Sequence, residues 1–181
     1  RFTLITQNVD GLHLQAGNRI QTTYQIHGNV FQVRCAAPCS PELQPLPMDL
    51  IGRPKEAPLT DAERAFLTCR RCGERLRPHV LWFDEVYDER YFHFESSLQA
   101  AAETGLLLIV GTSGVTNLPN QVAWTVLQNG GTIMDVNPTP NPFSELARRS
   151  PGGTVIPLPS GRLLPELLRV MQQAIGGRRH T

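Results

Sequence analysis

Four cysteines constrain this chain more than any other feature. Cys35 and Cys39 form a C-x3-C pair, Cys69 and Cys72 form a C-x-x-C pair, and about thirty residues separate the two. Prolines at 38, 41, 45, 47, 54 and 58 crowd the stretch between them. Proline removes a backbone donor and fixes φ, so this stretch holds no regular core element and needs another constraint. Two close thiol pairs can converge on one tetrahedral Zn²⁺ through four thiolates, and such a closed sphere leaves no position for a reactive water. The metal is therefore expected to be structural. No export signal is legible, since the apolar run around Phe2–Ile5 is short and turns polar at once, so the cysteines read as metal ligands and not as a disulfide framework.

Composition excludes several classes. With 181 residues, the chain has room for one domain plus a small module, and its 40% hydrophobic content is that of a globular protein. A formal net charge of +1 implies no long-range field, so neither nucleic acid nor an anionic membrane is the expected partner. No segment approaches the apolar length of a membrane span, and a cytoplasmic location is expected. The chain opens directly on an apolar strand pattern, residues 2–6, with no turn or cap before it. This gives the expectation that an upstream part of the domain is missing.

The second half of the chain alternates. Residues 91–104 read as a helix, 106–110 as an apolar strand buried on both faces, 119–129 as a helix, 132–136 and 155–158 as strands, and 163–175 as a last amphipathic helix. In the first half, short strands are expected at 23–26 and 30–34, around His27-Gly28-Asn29, and at Val80–Phe83. Thr60 followed by Glu63 is a capping-box pattern and predicts a short helix inside the insert. Strand–helix alternation predicts an α/β fold: a Rossmann-like parallel sheet with helices on both faces, plus a small zinc-ribbon module. The expected domains are 1–34 and 79–175 for the sheet domain, 35–78 for the zinc module, and 176–181 as a disordered tail.

In such a sheet, ligands lie beyond the carboxyl ends of the strands. Three of those ends carry small or polar residues: Thr6-Gln7-Asn8, Gly111-Thr112-Ser113-Gly114, and Asn137. A glycine-and-hydroxyl turn offers backbone N–H groups to phosphate or ribose, and Asn137 can hydrogen-bond ribose hydroxyls. One such turn is ordinary; three on one edge favour a nucleotide crevice. His27 precedes Gly28 between two strands, a rigid setting for a general base with a near-neutral pKa. His13, His79, His93 and His180 lack that setting.

Taken in order, TQNVDGLH, AG, IHG, the paired cysteines, LRPHVLWFDE, VGTS and DVNP resemble the sirtuin family of NAD⁺-dependent protein deacylases. The resemblance extends from residue 1 to about residue 170. It implies a Rossmann-type NAD⁺ domain, a structural zinc module held by Cys35, Cys39, Cys69 and Cys72, and an acyl-lysine protein or peptide substrate. It implies that His27 is the catalytic base acting on the nicotinamide ribose, with Asn8 beside it in the catalytic set. Gln7 and Asn8 would hold that ribose and Asp10 the nicotinamide carboxamide. Gly111, Thr112 and Ser113 would meet the phosphates and the adenosine ribose, Asn137 that same ribose, and Ser160 the adenine. Val80, Trp82, Phe83, Asp84 and Glu85 would pair with the substrate peptide as an added strand.

The implied reaction consumes NAD⁺: the acyl oxygen attacks C1′ of the ribose, nicotinamide leaves, and free lysine and O-acyl-ADP-ribose result. The chain departs from the family pattern in four places, one being the C-x3-C first pair and the long stretch of about thirty residues between the cysteine pairs. The glycine-rich pyrophosphate loop is not among its residues, so weak activity is expected. Asp84 stands where the family has glycine in its FGE motif, and Thr139 stands where an acid often binds ribose. Two further readings remain open. One is a zinc-bearing peptide-binding fragment without full catalysis. The other is an NAD⁺-dependent protein mono-ADP-ribosyltransferase.

Overall fold

A computed structural model describes residues 1–54 and 56–177, with side chains described up to 174. The chain forms two compact units, Arg1–Glu95 and a second beginning at Ser96.

The first unit carries β1 (Leu4–Thr6), the short helix α1 (Leu12–Gln15), a 3-10 turn (Ile20–Thr22), β2 (Thr23–Gln25) and β3 (Gly28–Cys35). It continues with β4 (Gln44–Pro45), α2 (Met48–Ile51), α3 (Asp61–Phe66), β5 (Leu76–Val80) and α4 (Glu89–Phe92). β1 and β2 pair in parallel, Leu4 opposite Thr23 and Thr6 opposite Gln25. β3 lies between β4 and β5, antiparallel to both. α3 forms where the capping box predicts it. The Thr60 hydroxyl accepts from Glu63 N–H at 3.2 Å, and Glu63 Oε2 accepts from Thr60 N–H at 2.6 Å.

The expected strand Val80–Phe83 sits earlier, at Leu76–Val80. Pro78 reads as a boundary, but β5 is an edge strand, where a residue without an N–H is tolerated. Inside the unit, buried His79 stacks on Phe92 at 5.5 Å and meets Tyr91 edge-on at 5.3 Å. Burial and the nearby Arg34 hold its pKa down at about 4, so the ring is neutral and serves as an aromatic plate. The expected helix 91–104 is broken. α4 ends at Phe92, capped by His93 in the left-handed region at φ 52°, and α5 (Phe94–Ala102) starts afresh across the division between the units.

The second unit alternates strand and helix, with one helix more than expected: β6 (Leu106–Val110), α6 (Asn117–Gln128), β7 (Thr132–Val136), α7 (Pro142–Arg149), β8 (Thr154–Ile156) and α8 (Ser160–Gly177). The sheet is parallel in the order β6-β7-β8, an α/β arrangement. α6 presents Leu118, Val122, Ala123 and Val126, and α7 presents Phe143, Leu146 and Ala147. Both stripes keep the helical spacing that buries one face, and both are buried with Ile133 and Val136 of β7.

β6 departs from the expectation of burial on both faces. Ile109 is buried, while Leu106, Leu108 and Val110 are 57%, 37% and 37% exposed. β6 is the edge strand here, and alternate residues point to opposite faces. α7 lies between the expected strands 132–136 and 155–158, where no helix was expected. Asn141 caps it by accepting from Phe143 N–H at 2.8 Å, and Pro142 occupies its first turn. Buried Asp135 of β7 ties in this start, accepting from Ser144 Oγ at 2.6 Å and from Asn141 Nδ2 at 3.0 Å. Of the tail expected at 176–181, Gly176 and Gly177 close α8, and residues 178–181 lie outside the described residues. Among the described residues, no helix is long and apolar enough to cross a membrane.

Candidate active site and metal centre

The four cysteines converge. Their sulfurs lie within 4.8 Å of one another, with Cys35–Cys39, Cys39–Cys69 and Cys35–Cys72 each at 3.5 Å. A disulfide would bring two sulfurs to about 2.05 Å, whereas four sulfurs about 2.3 Å from one Zn²⁺ stand roughly 3.8 Å apart. The observed spacing fits the metal. β3 delivers Cys35 at its end, and β5 begins just past the second pair, so the antiparallel pairing of β3 with β5 brings both thiol pairs to one end of the sheet. A turn at Cys69–Gly73 aids this, with Gly73 N–H bonded to the Cys69 carbonyl at 2.9 Å and Gly73 at φ 77°. The donor set of four sulfurs suits Zn²⁺ and, being complete, leaves no site for substrate.

His27 occupies the corner between β2 and β3. Gly28 makes that corner possible: its φ is 86°, and a Cβ there would lie 2.0 Å from the His79 carbonyl oxygen. Only glycine lets β3 approach β5 so closely. The His27 carbonyl accepts from Leu81 N–H at 3.0 Å, which ties the segment after β5 to the histidine. The His27 ring is half-buried and doubly held. Its Nδ1 is 3.1 Å from the Gln7 carbonyl, and its Nε2 is 2.8 Å from Tyr87 Oη. Burial lowers the His27 pKa below 6.5, opposed by the Gln7 carbonyl. The ring is therefore neutral at pH 7 and can take up a proton.

The other expected residues of this unit are placed as follows. Gln7 reaches His27 through its backbone. Asn8 is exposed, and its N–H bonds Thr6 Oγ1 at 3.1 Å. Asp10 Oδ1 accepts from Leu12 N–H at 3.1 Å at the start of α1. Val80 ends β5. Trp82, Phe83 and Asp84 are exposed, Phe83 fully. An exposed aromatic pair beside the end of an edge strand suits strand addition by a peptide.

Glu85 behaves differently from its neighbours. Its carboxylate accepts from Arg77 through both oxygens (Arg77 Nη2 at 2.9 Å), from Arg34 Nη2 at 3.2 Å and from Trp82 N–H at 2.9 Å. The Arg77 hydrogen bonds, foremost, hold its pKa at about 2. Arg77 also stacks on Trp82, with its guanidinium carbon 3.7 Å from the ring centre. Glu85 is thus the hub that shapes the turn after β5. Arg34, Arg77 and Tyr87 carry no local sequence signal: Arg34 and Tyr87 matter through partners more than fifty residues away, and Arg77 through a turn whose geometry the sequence does not show.

In the second unit, the GTSG loop follows β6. Gly111 and Gly114 adopt φ 62° and 73°. Gly111 N–H bonds the Val136 carbonyl at 3.0 Å, and Asn137 Nδ2 donates to the Thr112 carbonyl at 2.8 Å. Asn137 is nearly buried, so its amide braces the loop, while Ser113 is exposed. Ser160 opens α8. A cavity of about 320 Å³ is lined in the first unit by Arg34, Asp84, Glu85, Val86, Asp88 and Phe92.

Comparison with known proteins agrees with this arrangement. The profile of the Sir2 family matches residues 1–117. An NAD-dependent protein deacylase of Leptospira interrogans is 37% identical over 168 residues, 93% of this chain and 60% of that protein. NAD-dependent protein deacylase 1 of Pseudomonas aeruginosa is 36% identical over 166 residues, 92% of this chain and 60% of that protein. A crystal structure of a Sir2 homolog–NAD complex superposes with a TM-score of 0.77 at 29% identity, covering 95% of this chain and 59% of that one. The chain thus spans about 60% of the length of the curated relatives it matches. With the His27 corner, the four-thiol cluster and the parallel sheet in place, the chain belongs to the Sir2 family.

Proposed function

We propose that this protein is an NAD⁺-dependent protein lysine deacylase that removes acetyl or related acyl groups, releasing nicotinamide and O-acyl-ADP-ribose. The observation that carries the reading is the His27 ring. A carbonyl can only accept, so Nδ1 carries the ring hydrogen toward Gln7 and Nε2 is left as the base. In this reading His27 takes a proton at Nε2 from a ribose hydroxyl, and Gln7, Asn8 and Asp10 line the nicotinamide end of the co-substrate. Gly111, Thr112, Ser113, Asn137 and Ser160 serve its adenosine half. The segment Val80–Glu85 receives an acyl-lysine peptide by backbone pairing, with Trp82 and Phe83 as its apolar contacts. Cys35, Cys39, Cys69 and Cys72 hold a structural Zn²⁺ that fixes the β3–β5 end. The reduced-thiol metal site suits a reducing compartment, and we place the protein in the cytoplasm, acting on protein substrates and not on nucleic acid.

His27→Ala tests the assignment. It is expected to leave the melting curve in place and to lower turnover of an acetyl-lysine peptide by about 10²–10⁴-fold, the range for a lost general base. Near-normal turnover, or a loss matched by unfolding, would contradict the role of His27.

A further inference from the structure

The sequence offered no reason to single out Tyr87, yet its hydroxyl is the partner of the His27 nitrogen that matters. Nδ1 is committed to the Gln7 carbonyl, so in the neutral ring Nε2 is a bare lone pair. It lies 2.8 Å from Tyr87 Oη, a good hydrogen-bond distance. The two rings are nearly stacked, with centroids 5.9 Å apart and an interplanar angle of 29°. Tyr87 is itself backed by Phe94 at 6.5 Å. The next residue, Asp88, caps α4 by accepting from Tyr91 N–H at 2.6 Å. The phenol therefore stands on an anchored piece of backbone sixty residues away from the histidine it meets.

We propose that Tyr87 is a positioning residue for His27, its hydroxyl setting the direction of the ring and holding Nε2 as the nitrogen that receives the proton. A hydroxyl suits this place because it can act in both directions. Toward the neutral ring the phenol donates to Nε2. When Nε2 takes a proton, the phenol hydrogen turns away to free the lone pair, and the same oxygen then accepts the new N–H. The second bond is charge-assisted and roughly twice as strong as the first. Tyr87 thus favours the protonated ring and opposes the effect of burial on His27. The ring bonds the Gln7 carbonyl and the Tyr87 hydroxyl, and Asp88 is occupied as a helix cap. The consequence for turnover rests on the deacylase reading; the geometry does not.

Tyr87→Phe is the test, because it keeps the ring that packs on His27 and Phe94 and removes only the oxygen. NMR titration of ¹⁵N-labelled histidine in the wild-type protein and the variant gives the His27 midpoint directly. The expected result is a fall of about half to one pH unit in Y87F, with the melting temperature unchanged. An unchanged or raised midpoint in a folded variant overturns the proposal. Where the variant fails to fold, uniform 3-fluorotyrosine labelling weakens the same oxygen as an acceptor without removing it, and the midpoint is again expected to fall; no change again overturns the proposal. In a deacylation assay, kcat of Y87F is expected to drop roughly threefold to tenfold with KM for NAD⁺ and peptide unchanged. An unchanged kcat also overturns it. If the wild-type protein shows no deacylation at all, the deacylase reading fails, while the titration still decides the role of Tyr87.

Discussion

Glu85→Gln isolates the arginine clamp at the turn after β5. The carboxylate receives two arginines and one backbone N–H, and its side chain is 27% exposed, against 12% for Arg77 and 14% for Arg34. A carboxyl whose pKa falls from 4.5 to about 2 contributes at most about 3 kcal/mol at neutral pH. Exposure of about a quarter of the side chain screens part of that. Against this, the amide leaves two poorly solvated guanidiniums short of a counter-charge, which adds a penalty. The expected loss is about 1–3 kcal/mol, or several degrees in melting temperature for a unit of this size.

The pH dependence makes the reasoning specific. The folded pKa lies below the unfolded one, so the stabilisation is complete above about pH 4.5 and disappears as pH falls toward 2. Urea unfolding of wild type and E85Q at pH 7, 5, 4 and 3 should show a difference that is constant at the two higher values and shrinks at the lower ones. A difference under about 0.5 kcal/mol at pH 7, or one that does not change with pH, would refute the clamp.

Chelation should release one Zn²⁺ per chain and unfold the segment between the cysteine pairs, as read by metal analysis and circular dichroism; a chain that holds no zinc yet keeps the same spectrum contradicts the cluster's role. Gly28→Ala places a Cβ 2.0 Å from a backbone oxygen at φ 86°, so the melting temperature should fall by 10 °C or more, given about 1–2 kcal/mol for the left-handed backbone alone plus the clash. A melt within 2 °C of wild type would mean that β3 and β5 are not so close. Asn141→Ala removes a helix cap and a bond to buried Asp135 and should cost about 1–2 kcal/mol in denaturant unfolding; a neutral effect would show that α7 does not depend on its cap.

The sequence made some of this arrangement legible and hid the rest for definable reasons. α3, β6 and the cysteine convergence depend on local signals: a capping box, a continuous apolar run, and paired spacing. α7 was not expected, although Asn141-Pro142 marks a helix start: no element was assigned between Asn137 and Val155. β5 was shifted because Pro78 read as a boundary, and only the edge position shows why proline fits inside it. The exposure of β6 depends on what packs against it, which apolar composition alone does not encode. His27 stood out through its glycine neighbour. Tyr87 and the Arg34–Glu85–Arg77 clamp could not stand out, since their partners meet them only after β3 and β5 have paired.

The most direct test of the account is the mass of the products formed from NAD⁺ and an acetyl-lysine peptide. Deacylation predicts a peptide lighter by one acetyl group, free nicotinamide, and O-acetyl-ADP-ribose in equal amounts. A peptide or protein heavier by one ADP-ribose, or an acetylated peptide left unchanged while the cysteine cluster holds its zinc, would contradict it.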